Sequence, residues 1–249
     1  MMRHVIWIDI GTHQAQEFRA LFASNYWFFL KLFKRIFRNF LTRVGVLNFR
    51  YEKVNVRSIL KIRNSIRKQR NVFKFVFVEP NPHIITANSI YQNADIVAQV
   101  AVDVAENNFS FAKLYFGNGE KQSQGSSLFL NKHNIVADKY QVILSVDADK
   151  FFSELKRHLD KEIGSYVIVL RLNCEGAEDS VVYSAAGQFG QKLKLVLGSL
   201  KDVGQIKGLQ KQLELEAFLK KNELTFEEFS SDVFTWLPAS KKLLELCGR

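Results

Sequence analysis

Apolar runs rich in Val, Ile and Phe recur along the chain, each bounded by a polar or a Gly- or Asn-containing turn. Strands are read at Val5–Ile10, Val72–Val78, Ile96–Val102, Phe109–Phe116, Tyr140–Val146, Tyr166–Leu172 and Lys192–Gly198. Several of these are apolar at nearly every position, the pattern of strands covered on both faces in a parallel sheet. Helical periods fall between them, at Ala15–Asn25, His83–Gln92, Asp149–Ile163, Ala177–Gln188 and Leu209–Lys221. Strands alternating with helices predict a doubly wound, mostly parallel α/β sheet. No internal repeat or low-complexity tract is visible.

With 249 residues, 47% hydrophobic and 24% charged, the chain suits a single domain over 1–249, with room for an insertion. Charge locates that insertion. Between Arg19 and Lys74 stand 15 Lys and Arg against one acid, Glu52, so this stretch carries +14. The net charge is +10, which leaves the remainder at −4. A mildly acidic body with one basic block argues for a local anionic partner. The block reads as two amphipathic helices at about 26–70. In the first, Phe29, Phe33, Phe37 and Phe40 with Leu30, Ile36 and Leu41 form an apolar stripe opposite Lys31, Lys34, Arg35 and Arg38. In the second, Val56, Ile59, Leu60, Ile62 and Ile66 alternate with Arg57, Lys61, Arg63, Arg67 and Lys68. One reading is a helical hairpin that packs its stripe on the main domain or on a second subunit. The other is an interfacial anchor, with aromatics at the acyl boundary and cations over anionic headgroups. The aromatics follow helical spacing rather than the strand patterns of RNA-binding sheets, which puts nucleic acid behind both.

Two cysteines, Cys174 and Cys247, supply neither a disulfide framework nor metal-ligand spacing. They point to a reducing, cytoplasmic compartment. The first residues run into a strand without a charged n-region and cleavage site, which argues against a secretory signal. The most apolar run, from Tyr26, is broken by Lys31 and is too short to span a bilayer. The expectation is a cytoplasmic protein, peripheral at the membrane if the insertion is an anchor.

Doubly wound sheets bind ligands beyond the carboxyl ends of their strands, near the switch in strand order. The residues at those ends carry the chemistry: Asp9, Gly11, Thr12 and His13 after the first strand, and Glu79, Pro80, Asn81 and Pro82 after the second. Ala101 and Val102 end the third, and Asn173 to Glu178 follow Tyr166–Leu172. Together these turns resemble the FkbM family of S-adenosylmethionine-dependent O-methyltransferases. That family has Asp-x-Gly-Ala-Asn-x-Gly, Glu-Pro-Asn-Pro and Lys-x-Asp-x-Glu-Gly-x-Glu at the corresponding places. Here they read DIGTHQA, EPNP and RLNCEGAE, and GSSL at Gly125–Leu128 is similar to a further short family segment. The likeness covers about Val5 to Leu200, interrupted by the basic block. His13, Ala15 and Asn173 stand where the family has Asn, Gly and Asp.

The resemblance implies a Rossmann-like methyltransferase sheet that binds S-adenosyl-L-methionine through Asp9, Gly11, Thr12, His13, Glu79, Pro80, Asn81, Ala101 and Val102. Glu79 would accept hydrogen bonds from both ribose hydroxyls, and Ala101 and Val102 would wall the adenine. Asp9 would face the methionine end, and His13 would meet the methionine carboxylate or else sit as a solvent-facing loop histidine. Methyl transfer from a sulfonium needs alignment and a proton acceptor more than covalent help. Glu175, beside Asn173, is the candidate base or positioning acid; the competing role for Glu175 and Glu178 is capping the helix that starts near Ala177. With Asn173 for Asp the local charge falls, so no divalent metal is expected. Cys174 reads as a small buried residue rather than a nucleophile. The acceptor is expected to be a hydroxyl of a glycan sugar or of a small molecule. Two alternatives stand beside this: a degenerate binding protein that keeps the fold, and an RNA methyltransferase that uses the insertion.

Overall fold

A computed structural model describes residues 3–23, 25–44, 56–105, 107–117, 126–133, 135–229 and 233–248. After β1 (His4–Ile10) come a short turn of helix, α1 (Gln16–Phe18), a π-helical turn at Arg19–Ala23, then α2 (Asn25–Arg43) and α3 (Val56–Lys68). The chain continues through β2 (Phe73–Val78), α4 (Pro82–Ala87), β3 (Ile96–Ala98), β4 (Ala101–Asp103), β5 (Phe109–Gly117) and β6 (Ile135–Asp147). There follow α5 (Ala148–Glu162), β7 (Tyr166–Leu172), α6 (Glu178–Phe189) and β8 (Leu193–Gly198). Last come α7 (Lys201–Lys207), α8 (Leu209–Lys221), β9 (Thr225–Glu228) and α9 (Val233–Cys247).

Six strands form a sheet in the order β3-β2-β1-β7-β8-β9, with every pairing parallel. Counted within the sheet, that order is 3-2-1-4-5-6, the Rossmann-like arrangement, and it reverses direction between β1 and β7. The apolar runs have their cause here. All seven residues of β7 are buried. Val167 and Val169 join Val5 and Trp7 in one core layer, while Ile168, Leu170 and Leu172 join Ile6, Ile8 and Ile10 in the other. The first layer is covered by the α1 turn, α3 and α9, the second by α5, α6 and α8.

Several expected elements differ. Ile96–Val102 is two strands, because β3 pairs with Val76–Val78 and β2 then ends, leaving the chain no partner in that sheet. It turns, and β4 pairs Ala101–Asp103 with Ser145–Asp147 in a second sheet of order β4-β6-β5, whose β5–β6 pairing is antiparallel. The helix expected at Ala15–Asn25 is a single α turn followed by the π turn, which brings Phe18 and Phe22 into stacking at 5.3 Å. The helix expected at His83–Gln92 breaks at Asn88, whose backbone is extended.

The basic block contributes the helices α2 and α3, and 45–55 of it, including Arg50, Glu52 and Lys53, lies outside the described residues. Its two stripes go different ways. Ile59 and Ile66 of α3 are buried in the first core layer, with Val56, Leu60 and Ile62 packed against it. On α2, Phe28 and Leu32 reach the core, but Phe29, Phe33, Phe37 and Phe40 are exposed. The expected packing of the stripe on the domain therefore holds for α3 alone. Arg63 of α3 clamps the junction: it donates to the Ala20 carbonyl at 2.6 Å and to Asn25 Oδ1 at 2.9 Å, and lies over the Phe28 ring.

Candidate functional site

The turns after β1, β2 and β7 meet at the reversal of strand order. There they line a small, partly open cleft of about 60 Å³. Gly11 explains how the turns come so close. Its φ is +72°, and a Cβ there would overlap the carbonyl oxygen of Asn173, so any side chain would force β1 and β7 apart. The turn is tied across the sheet by Gly11 N–H to the Val78 carbonyl at 2.9 Å and by Asn173 N–H to the Ile10 carbonyl at 2.9 Å.

Of the residues expected at a cofactor, Gly11, His13, Glu79, Pro80, Ala101 and Val102 line the cleft, and so do Asn173 and Glu175. Asp9, Thr12 and Asn81 do not. They are turned into the protein and support the turns from beneath. The Thr12 hydroxyl donates to the Asp9 carbonyl at 2.8 Å and accepts from Val78 N–H at 3.1 Å, extending the β1–β2 ladder. Asn81 caps α4, accepting from His83 N–H at 3.0 Å. Asp9, 1% exposed, sits in register opposite Arg171 on β7 and accepts from its guanidinium at 2.9 Å. The same guanidinium reaches Glu17 of α1 at 2.9 Å and the Gly11 carbonyl at 3.1 Å. This buried arginine binds strand, turn and helix together. Burial holds the Asp9 carboxyl above its ordinary range, opposed by Arg171 and reinforced by Glu17.

Glu79 is the acid at the β2 end of the cleft. One carboxylate oxygen accepts from His13 N–H at 2.8 Å and the other from Asn81 N–H at 2.9 Å. Burial pushes its pKa up to about 7, against the pull of those two amides. Each oxygen keeps a second lone pair, so the carboxylate can still accept two hydroxyl donors from a ligand. Val100, Ala101, Val102, Leu114 and Leu128 supply an apolar wall within the same cleft.

Backbone strain concentrates at these turns. Four non-glycine residues have a positive φ among the described residues, and three of them, His13 (49°), Ala15 (48°) and Glu175 (56°), belong to the turns after β1 and β7. Left-handed backbone costs a residue with a Cβ about 1–2 kcal/mol, while Gly and Asn accept it readily. His13 and Ala15, each with a Cβ, thus carry that cost in the turn after β1. The Tyr91 hydroxyl secures it, donating to the His13 carbonyl at 2.6 Å.

Glu175 does not cap α6. Its carboxylate is ion-paired with Lys132, and its carbonyl accepts from the Ser127 hydroxyl at 2.8 Å. Ser127 also bridges to Tyr115 of β5 through both backbone groups, so Ser126, Ser127 and Leu128 close one side of the cleft. Gly125, the first residue of that GSSL segment, lies outside the described residues. Glu178 accepts from Gly176 N–H at 2.8 Å and, by burial, is pushed up to about 7. It stabilises the turn from inside rather than facing the cleft. Cys174 lines the cleft as a thiol, since burial and then Glu178 raise its pKa well above the ordinary value. Among the described residues no three His, Cys, Asp or Glu side chains are grouped to hold a metal ion.

Comparison with known proteins settles no family: no protein-family model, no curated protein and no solved structure matches the chain. The site therefore has to be read from its own geometry. Sequence reasoning passed over Arg171, Lys132 and Glu17. Arg171 carried a signal, a lone charge within the otherwise apolar YVIVLRL. Lys132 and Glu17 carried none, because their partners lie 43 and 154 positions away.

Proposed function

We propose that the chain is an S-adenosylmethionine-dependent O-methyltransferase whose cofactor lies in the cleft between the turns after β1, β2 and β7. One observation carries the reading: Glu79, at the end of the strand beside β1, presents a buried carboxylate with free lone pairs beside a small apolar wall. That pairing suits a ribose diol and a flat aromatic base, and Gly11 keeps the floor of the cleft clear of side chains. Bound there, the cofactor supplies a methyl group already activated on a sulfonium. The chain's own part is positional. Glu79 would fix the ribose, the backbone of Gly11 and His13 would run under the remainder, and Asn173 and Glu175 would border the acceptor side. Lys132 occupies one oxygen of Glu175, which leaves the other to accept from an acceptor hydroxyl and orient it. A glycan sugar or small-molecule alcohol is the acceptor class this implies.

Isothermal titration with S-adenosylhomocysteine tests the cofactor site. Wild type should bind, and Glu79→Gln should bind more weakly by about 1.5–3 kcal/mol, the scale of hydrogen bonds to a charged group. Equal affinities would place the ribose elsewhere, and the absence of heat with folded wild type would remove the cofactor altogether. A binding protein that keeps the fold without turnover is the second reading, favoured by the Glu175–Lys132 ion pair and by Asn173. Acceptor screening with methyl-labelled cofactor separates the two. Turnover that falls about 10²-fold in Glu175→Gln at unchanged cofactor affinity supports the enzyme; cofactor binding without any transfer supports the binding protein.

A further inference from the structure

The cleft does not account for an exposed aromatic face on α2. On α2 and the residue after it, Tyr26, Phe29, Phe33, Phe37, Phe40 and Val44 recur at three- and four-residue steps on one face, and each is between 51% and 69% exposed. Phe33 and Phe37 stack on one another, rings 6.2 Å apart and 10° from parallel. Among the described side chains of the helix, the two buried ones, Phe28 and Leu32, lie on the opposite flank by the 3.6-residue turn. The core therefore holds α2 by its back and turns the aromatic ridge outward. A contiguous apolar ridge of this kind on a soluble surface marks an interaction site.

The charge around the ridge selects the partner. α2 has five cations, Lys31, Lys34, Arg35, Arg38 and Arg43, and no acid. By helical step, exposed Lys34 and Arg43 border the ridge on its two sides. A second copy docking through the same face would bring Lys34 and Arg43 of each helix to one interface, without an acid on either helix to offset them. Among the described residues no helix is long and apolar enough to cross a membrane. An interfacial surface asks for what is present: Phe and aliphatic side chains to enter the acyl boundary, with Lys and Arg at the level of the phosphates.

We propose that α2 is an interfacial anchor that seats the protein on an anionic lipid surface through the Phe29–Phe33–Phe37–Phe40 ridge. The proposal is independent of what the cleft binds. Flotation of the full chain with vesicles of phosphatidylcholine, alone or mixed with phosphatidylserine, tests it. Wild type should float with the mixed vesicles at low salt, lose most of that binding at high salt, and ignore phosphatidylcholine alone. Phe33→Ser/Phe37→Ser should weaken binding about tenfold or more. Because both side chains are exposed, the variant should keep the wild-type circular dichroism, so that the loss reads the surface and not the fold. Four results would overturn the proposal. One is folded wild type that stays out of the mixed vesicles at low salt. Another is vesicle binding that the serine variant leaves intact. The third is a dimer in light scattering that the serine variant dissociates, with no flotation by wild type, which would make the ridge a contact between copies. RNA binding that survives the serine changes while vesicles are ignored would equally count against it.

Discussion

Helices α2 and α3 are both basic and both amphipathic, yet α3 seats Ile59 and Ile66 in the core whereas α2 leaves Phe33 and Phe37 in water. Their stripes differ in chemistry as well as in place. That of α3 is aliphatic and meets α9 and the sheet; that of α2 is aromatic and leaves Phe29, Phe33, Phe37 and Phe40 exposed. Even the cations divide. Arg63 of α3 is buried and spends its donors on Ala20 and Asn25, while Lys34 and Arg43 of α2 stand in solvent. Helical periodicity thus establishes that a stripe exists and leaves open which surface it serves.

The contrast can be broken most sharply at α3. Ile66 is fully buried, so Ile66→Ala should cost about 2–5 kcal/mol, a fall in melting temperature of roughly 5–20 °C for a chain of this size. A change of a degree or less would mean that α3 is no better anchored than α2. A pH series separates the insertion from the body. The carboxyls of Glu79 and Glu178 are raised from 4.5 to about 7 by burial. Between those values the folded state holds protons that the unfolded state has lost, so stability is greatest at the acid end and declines as pH rises toward 7. Scanning calorimetry of the ligand-free protein should give a higher melting temperature at pH 5.5 than at pH 8, reflecting a stability difference on the order of a few kcal/mol. Glu79→Gln should remove a large part of that slope, and the α2 variant none of it. A flat profile in wild type would show that neither acid is held protonated. The smallest effect is expected at the ridge. Phe33→Ser/Phe37→Ser should shift stability by no more than about 0.5 kcal/mol, as for other exposed substitutions, and a larger loss would mean that the ridge is covered in solution.

Much of the sheet was legible in the residues, and the reason is physical. A strand buried on both faces must be apolar throughout, so β1, β2, β7 and β8 announce themselves. β6 does not. It begins at Ile135 rather than at Tyr140 and keeps one face in water, so its early residues look like loop. β9 and α9 went unread because their apolar residues are few or spread around the helix. At the site, the turns could be located from EPNP and EGAE, but the direction of single side chains could not. Asp9 shows why. Side chains alternate along a strand, which puts Asp9 on the face of Val5 and Trp7, inside the layer and beside Arg171, rather than at the rim. That parity was available, but its meaning depended on knowing that β7 lies next to β1 in the register that pairs Asp9 with Arg171.

The seating of α3 against α9 also has a bearing on the order in which the molecule assembles. Ala239 and Leu243 of α9, both fully buried, complete the layer that receives Ile59 and Ile66, and more than 160 residues separate the two helices. β7, the central neighbour of β1, likewise enters only at Tyr166. The basic, phenylalanine-rich segment is therefore made well before β7 and α9, which help to cover the α3 stripe. Such a long-range closure is slow, and apolar surface left open in the meantime invites association. Until α9 arrives, both stripes of the insertion are sticky; afterwards only one is.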